Sequence, residues 1–295
     1  MKQLVLIAGP LHGKAGLDAA IRLKEDIGRR WPAVQAEVVN TTAEKQAFDG
    51  MKQLIVSQKL CSGTKPDTVC VAVLPFCLLP GVEYERVCRL TNRAVRELAA
   101  QEPPSGWLLD GSSSPCKGVA VKQQPWKTAE QQDSKPGHGV AKHSVWITPP
   151  LLSAPDGIRG LVRILGEEYP AKAGEALVLV GHDSRCADAC YQQLKQAFHQ
   201  TGRRDVYLST LGDGFDTVRE ALETSAVKTV RLVPLMLSAG IHTMRDVAGE
   251  QTESWNTRLR QAGFSVRPVV RGLAELHAVR DLLLQPLADC FKAYS

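Results

Sequence analysis

The chain has 295 residues, of which 44% are hydrophobic and 23% are charged, and its formal net charge is +5. This length and apolar content allow two core-forming domains and exclude a largely disordered chain. The basic residues are dispersed, which argues against nucleic acid as a partner. The opening MKQLVLIAG lacks signal-peptide zones, and no segment reaches the roughly 20 apolar residues of a membrane helix, so we expect a soluble, cytoplasmic protein without a membrane partner.

The eight cysteines are scattered along the chain, so we expect them to be small core residues in a reducing compartment rather than partners in disulfides.

The first elements of the chain recur in its second half. An apolar strand, a turn with a histidine and a helical pattern follow one another at residues 4–27, and the same layout returns at 177–198. Two further pairs of segments match: 68–87 with 229–247, and 145–165 with 266–284. Continuous apolar runs indicate strands that are buried on both faces of a parallel sheet. We therefore predict an α/β fold of two similar lobes, each a parallel sheet flanked by helices, at residues 1–145 and 146–295, with the last helix packing on the first lobe.

Residues 101–142 interrupt this pattern. They are rich in Ser, Gly, Pro, Gln and Lys and show little periodicity. This composition predicts a polar surface insertion outside the core, with a lid over the ligand site as the alternative.

Histidines follow three of the predicted strands. They are His12 in GPLHGK, His182 in LVGHDS and His242 in SAGIHT. Ligands of parallel α/β sheets sit beyond the carboxyl ends of the strands, where such side chains gather. An imidazole exposed there can bind a divalent metal or accept a proton near neutral pH, although a strand-end histidine can also be an ordinary turn residue.

Two more polar residues lie near these turns. Asp213 stands between two glycines after the strand that ends near Leu211, and Arg245 follows His242 by three residues. Arg245 could bind a carboxylate of a ligand, and Asp213 could assist a metal, but a surface arginine and a turn aspartate are equally ordinary alternatives. The chain has no GxxxxGK[ST], GxGxxG, HExxH, GxSxG or paired CxxC motif, so we expect no nucleotide cofactor.

These motifs resemble those of the class II tetrapyrrole chelatases, in particular the anaerobic sirohydrochlorin cobaltochelatases of the CbiK type. The segment VRLVPLMLSAGIHTMRDVAGEQTESW is similar to that family's PLMLVAGDHA segment and the tryptophan after it. LVLVGHDS resembles its strand-Gly-His motif, LLPGVEYERV its GxEYE segment, and PPLLS its mid-chain strand. The resemblance implies a cleft between the lobes and an active site of two histidines and an acid, which fall on His182, His242 and, after a one-residue shift, Asp213.

The chain departs from the family pattern at four positions near these motifs. Ile241 replaces the acid that precedes the second histidine, and Asp183 replaces a glycine after the first. Cys77 and Cys186 stand near places where relatives carry further histidines.

We therefore expect an ATP-independent chelatase that inserts a divalent metal, Co²⁺ first, into sirohydrochlorin or a related tetrapyrrole. His182 and His242 would hold the ion and accept the pyrrole protons, with Asp213 as a further ligand or a group that sets their basicity. Arg245 and His12 would contact the tetrapyrrole. The alternatives are Fe²⁺ or Ni²⁺ as the inserted metal, metal removal, or a non-catalytic tetrapyrrole or haem carrier. Assembly into a homo-oligomer stays open.

Overall fold

A computed structural model describes residues 2–60, 69–100, 107–110, 143–212 and 214–292. Asp213 and most of the predicted insertion therefore lie outside the described residues.

The described residues form strands and helices that alternate along the chain. The strands are β1 (Lys2–Gly9), β2 (Gln35–Asn40), β3 (Val69–Pro75), β4 (Trp107–Asp110), β5 (His143–Ile147), β6 (Glu175–Gly181), β7 (Val206–Thr210), β8 (Thr229–Leu235) and β9 (Ser265–Pro268). The helices are α1 (Gly13–Arg30), α2 (Glu44–Leu60), α3 (Val82–Ala99), α4 (Pro155–Glu168), α5 (Ala187–Gln200), α6 (Phe215–Glu223), α7 (Trp255–Gln261) and α8 (His277–Lys292). Short 3₁₀ turns form at Leu151–Ser153 and Leu273–Glu275, and a π-helical turn forms at Thr243–Val247. No helix in the described ranges is long and apolar enough to cross a membrane.

The strands form two parallel sheets with matching orders. The first sheet runs β2-β1-β3-β5-β4 and the second runs β7-β6-β8-β9, and every described strand pair is parallel. Each lobe thus places its second strand outermost, followed by its first and third strands, as the internal repeat requires. The predicted fold of two similar α/β lobes is confirmed.

Strand β4 corrects the extent of the predicted insertion. Residues 107–110 read WLLD, and they pair with β5 as the edge strand of the first sheet. Their apolar run supplies strand propensity within a segment that is otherwise polar. The sequence rule failed because a four-residue strand is too short to show a period.

The boundary between the lobes also shifts. Residue 145, where the first lobe was predicted to end, lies inside β5, so the change of sheet falls between β5 and β6.

Three hydrophobic clusters show how the layers are arranged. Side chains of α2 and α3 cover one face of the first sheet, and side chains of α6 and α7 cover one face of the second. The remaining faces of both sheets share a single cluster with α1, α4, α5 and α8. The two lobes are therefore joined by a common apolar core. This core holds the two sheets, and so the carboxyl ends of their strands, in fixed positions relative to each other.

The last helix of each lobe contacts the other lobe. Helix α4 follows the first sheet and contacts α5 of the second lobe, whereas α8 follows the second sheet and contacts α1 and β3 of the first lobe. Arg280 of α8 forms a buried ion pair with Asp26 of α1, and the rings of Phe291 and Trp31 pack edge to face at 5.1 Å.

Candidate metal site

The histidines that follow β6 and β8 lie together. His182 comes directly after Gly181, the last residue of β6, and His242 comes seven residues after the end of β8. Because β6 and β8 are neighbours in a parallel sheet, their carboxyl ends meet at one edge. The two imidazole rings have centroids 4.5 Å apart and planes at 84°. The two rings are therefore in edge-to-face contact at this edge of the sheet.

The turn that carries His182 is held by Tyr191. A Cβ at residue 181 would collide with the Tyr191 hydroxyl, so glycine is required where β6 ends. That hydroxyl donates to the His182 carbonyl oxygen at 3.3 Å. The packing of α5 thereby sets where His182 leaves the sheet.

The surroundings of His182 favour its neutral form. Burial lowers the pKa of His182, and the nearby charge of His242 lowers it further, while Asp183 and Asp246 act in the opposite direction. A neutral imidazole has a free lone pair, which is the form that binds a metal or accepts a proton.

His242 is bound on one side by Asp246, a residue that the sequence analysis did not select. The Nδ1 of His242 lies 2.6 Å from Oδ2 of Asp246, and Arg245 donates to both carboxylate oxygens of Asp246, at 2.6 and 3.2 Å. The hydrogen bond from Arg245 lowers the pKa of Asp246, so this carboxylate is ionised and accepts the Nδ1 hydrogen. The Nε2 of His242 is then left as the acceptor. The four-residue spacing from His242 to Asp246 was the available signal.

Asp183 joins the turn after β6 to the segment after β7. Its Oδ2 accepts a hydrogen bond from the Gly212 backbone N–H at 3.1 Å. Asp183, which stands where the family pattern has a glycine, thus connects the turn of His182 to the segment that leads to Asp213. Asp213 itself lies outside the described residues, so its predicted role stays a prediction.

The structure does not add His12 to the histidine pair. His12 is exposed after β1, next to Gly13, which has a φ of 62°. Its charge is among those that lower the pKa of His182, which places it on the same side of the molecule. Within the described part of the chain, no group of three or more His, Cys, Asp or Glu side chains is arranged to hold a metal.

The cysteines at two departed positions, Cys77 and Cys186, differ in their surroundings. Burial raises the pKa of Cys77, so it is a neutral thiol and a poor metal ligand. Cys186 precedes α5 and is half-buried. The six cysteines among the described residues form no disulfide, as the composition predicted.

A family model described as Cobalt chelatase (CbiK) matches residues 140–292, which is more than half of the chain. The chain belongs to the CbiK family of cobalt chelatases. The matched span includes the whole second lobe and therefore both paired histidines. The resemblance to class II chelatases of the CbiK type is confirmed.

Two curated relatives are similar to this CbiK-family chain. The sirohydrochlorin cobaltochelatase CbiKC of Nitratidesulfovibrio vulgaris is 32% identical over 149 residues, which cover 49% of this chain and 52% of that protein. The sirohydrochlorin cobaltochelatase of Salmonella typhimurium is 30% identical over 143 residues, which cover 47% and 53%. The aligned part thus spans about half the length of the curated relatives.

Two solved structures share the fold of this CbiK-family chain. SirB from Bacillus subtilis with Fe³⁺ aligns over 98% of this chain and 95% of its own, with a TM-score of 0.59 and 14% identity. DR2241 from Deinococcus radiodurans, described as a multi-domain protein with structural similarity to chelatases, aligns over 96% of this chain and 54% of its own, with a TM-score of 0.52 and 16% identity. These likenesses concern the fold, and they include the first lobe, which the family model leaves mostly uncovered.

Proposed function

We propose that this protein is a metal chelatase that inserts a divalent ion, Co²⁺ first, into sirohydrochlorin or a related tetrapyrrole without a nucleotide. The observation that carries the proposal is the pairing of His182 and His242, 4.5 Å apart at the ends of adjacent strands, in a member of the CbiK family. In this reaction the metal is a substrate, so the site must bind the ion and then release it to the ring.

The histidine pair suits that transient binding. Two imidazoles provide nitrogen ligands that Co²⁺, Fe²⁺, Ni²⁺ and Zn²⁺ all accept. Asp246 orients His242 through Nδ1, so Nε2 is the nitrogen that meets the ion. Two protein ligands leave most of the coordination sphere to water, which the four ring nitrogens of a tetrapyrrole can replace.

The reaction must also remove two protons from the pyrrole nitrogens. The divalent ion forms bonds to the ring nitrogens in place of two N–H hydrogens. The total charge of the macrocycle is unchanged, because two protons leave as one doubly charged ion enters. In this proposal His182 accepts one pyrrole proton and His242 accepts the other, each through the ring nitrogen from which the ion departs. The lowered pKa of His182 keeps its imidazole neutral, and so able to accept a proton, near neutral pH. Once protonated, each imidazole can no longer bind the ion, which favours transfer of the ion to the macrocycle.

Three further residues, Asp213, His12 and Arg245, complete the proposed site. Asp213 would be a further metal ligand or would set the basicity of a histidine. His12, exposed on the first lobe, would contact the tetrapyrrole across the cleft. Arg245 already donates to Asp246 through Nε and Nη2, so its contact with a ring carboxylate would use its remaining N–H groups.

The test is a direct insertion assay. Purified protein is mixed with sirohydrochlorin and each of Co²⁺, Fe²⁺ and Ni²⁺, and the absorption spectrum is followed against an uncatalysed control. We expect the fastest insertion with Co²⁺, and rates at the uncatalysed level for His182→Ala and His242→Ala. His199→Ala, an exposed histidine on α5, is the matched control and should keep the wild-type rate.

The same assay separates the catalytic function from the carrier alternative. A carrier would bind the tetrapyrrole but give no metal-dependent spectral change above the control. Full activity in both histidine variants would remove the proposed mechanism even if the protein inserts metal.

A further inference from the structure

Large hydrophobic side chains are exposed close to the histidine pair. Among the described residues, six large hydrophobic side chains are exposed: Leu17, Ile21, Val82, Ile241, Met244 and Val270. Ile241 is the residue before His242, and Met244 is two residues after it, with exposed fractions of 61% and 54%. Scattered exposed hydrophobic residues are common, but apolar side chains gathered around a polar site indicate a ligand surface.

Val82 occupies the matching position in the first lobe. Val82 and Ile241 each follow a glycine, Gly81 and Gly240, in the segment after the third strand of their lobe. The two glycine carbonyls accept the same type of bond, from the backbone N–H four residues later, at 3.0 and 3.1 Å. Val82 is 56% exposed. The internal repeat therefore presents one exposed aliphatic side chain from each lobe at equivalent points.

Contacts connect both positions to the histidine turns. Ile241 is bonded to His242 through the chain, and Gly81, next to Val82, packs against Ser184, two residues after His182. A Cβ at Gly81 would collide with the Ser184 hydroxyl oxygen, so the two turns approach each other closely. Val82 and Ile241 thus stem from backbone segments that adjoin the turns of His182 and His242 on opposite lobes.

We propose that Val82, Ile241 and Met244 form the apolar surface that receives the faces of the tetrapyrrole macrocycle, which extends the proposed function by assigning it a binding surface. A tetrapyrrole has apolar faces and carries its carboxylates around the perimeter. Side chains beside the histidine pair therefore contact a face of the macrocycle, while positively charged side chains further out contact the carboxylates on its perimeter. The flexible thioether of Met244 can adapt to a puckered or planar ring. Ile241 stands where the family pattern has an acid, so this chain has apolar contact at that point.

The experiment measures tetrapyrrole binding separately from metal binding. Metal-free sirohydrochlorin is titrated by fluorescence quenching into the wild-type protein and into Val82→Ser, Ile241→Ser and Met244→Ser. Each variant should weaken binding about fivefold, as expected when roughly half of an aliphatic side chain loses its contact, and the triple variant about a hundredfold. Val270→Ser is the matched control: Val270 is 51% exposed but follows β9, one strand further from His182, and its variant should bind like the wild type.

Co²⁺ titration without tetrapyrrole distinguishes the two proposals. It should be unchanged in the three apolar variants and lost in His182→Ala. If the wild type inserts metal and all three variants bind the tetrapyrrole normally, the apolar surface is wrong and the chelatase stands. If the wild type neither binds the tetrapyrrole nor inserts metal, both proposals fail. The inference would also be overturned if the wild type is a dimer and the variants are monomers with unchanged tetrapyrrole affinity. That result would identify this surface as an interface between copies of the chain.

Discussion

One ring nitrogen of His242, Nδ1, is engaged by Asp246, which leaves Nε2 for the proposed metal. The i,i+4 spacing brings the carboxylate to 2.6 Å from Nδ1, and Arg245 holds the carboxylate from its other side. A carboxylate on the far nitrogen fixes the tautomer and makes the near nitrogen a better metal ligand. We therefore propose that Asp246 positions His242 for the metal.

We predict that Asp246→Ala weakens Co²⁺ binding by about 10- to 100-fold, the usual cost of losing such a partner. Asp246→Asn should lose less, because its amide oxygen can still accept the Nδ1 hydrogen. Co²⁺ titration followed by visible absorption measures the change. His277 and Asp281 form a similar i,i+4 pair at 3.0 Å on α8, so Asp281→Ala is the matched control, and a loss of equal size there would reject a local effect.

Arg245 offers a second prediction at this scale, because its two proposed roles change different constants. If its main role is to hold Asp246, Arg245→Ala weakens Co²⁺ binding and lowers kcat while KM for the tetrapyrrole changes little. We expect this result, since two of its donors already contact Asp246. A raised KM with unchanged kcat and metal affinity would instead support the carboxylate contact predicted from the sequence.

The sequence predicted the proximity of His182 and His242 better than it predicted the residues that contact them. His182 and His242 could be selected because each follows an apolar strand of a recognisable repeat, and adjacent strand ends converge in any parallel sheet. Asp246 and Asp183 could not be selected in the same way, because their roles depend on side-chain contacts across turns. Arg245 was selected as a free cation, and only the coordinates revealed its hydrogen bonds to Asp246.

At the scale of elements, the contact between α1 and α8 depends on a buried ion pair. Asp26 and Arg280 are 5% and 9% exposed, and the Arg280 guanidinium also donates to the Ala274 carbonyl oxygen at 2.9 Å. Removing one partner leaves the other charge buried and unpaired. We therefore expect Asp26→Asn to lower the free energy of unfolding by about 3–5 kcal/mol, measured by denaturant titration. Glu167→Gln, which breaks the exposed pair with Arg163, should cost at most about 0.5 kcal/mol.

The same ion pair predicts a dependence of stability on pH. Burial raises the pKa of Asp26, but hydrogen bonds from Arg280 and Arg29 outweigh burial and hold the pKa below its usual range. A carboxyl group with a lowered folded-state pKa stabilises the protein above the unfolded-state pKa, and this contribution disappears as the pH falls through the folded-state value. The difference in unfolding free energy between the wild type and Asp26→Asn should therefore stay constant from neutral pH down to the pKa of an unfolded aspartate, about 3.9, and shrink at lower pH. A difference that stays constant below that pKa would contradict the assignment.

Elements differed in how well the sequence predicted them. The strands next to the histidines were evident because they are continuous apolar runs, whereas β4 was missed because four residues within a polar segment show no pattern. The prediction that α8 packs on the first lobe rested on its apolar surface alone. The corresponding contact of α4 with α5 was not foreseen, since the sequence does not state which sheet a helix covers.

At the scale of the whole molecule, β4 sharpens the expectation for the insertion. Strands β4 and β5 are parallel, so the chain must return along their length, which takes a dozen or more residues. We predict that replacing residues 111–142 by a Gly/Ser linker of about 15 residues leaves the melting temperature within a few degrees. Deleting 101–142 should lower it further, because that deletion removes β4. Equal melting temperatures for the two variants would show that β4 adds little to the first sheet.

Helices α4 and α8, each of which contacts the other lobe, suggest a route by which such a chain could arise. Half of this molecule, ending after α4, would leave α4 without the helix of the other lobe, α5, that it contacts. Two identical halves related by a twofold axis would each supply the contact that the other lacks. Gene duplication and fusion of that ancestor would tether the two copies and release each from the need to match the other. In the present chain Glu83 then stands beside Val82 where the second half places His242 beside Ile241. The two lobes keep similar strand orders, β2-β1-β3 and β7-β6-β8, while the proposed metal site belongs to the second lobe alone.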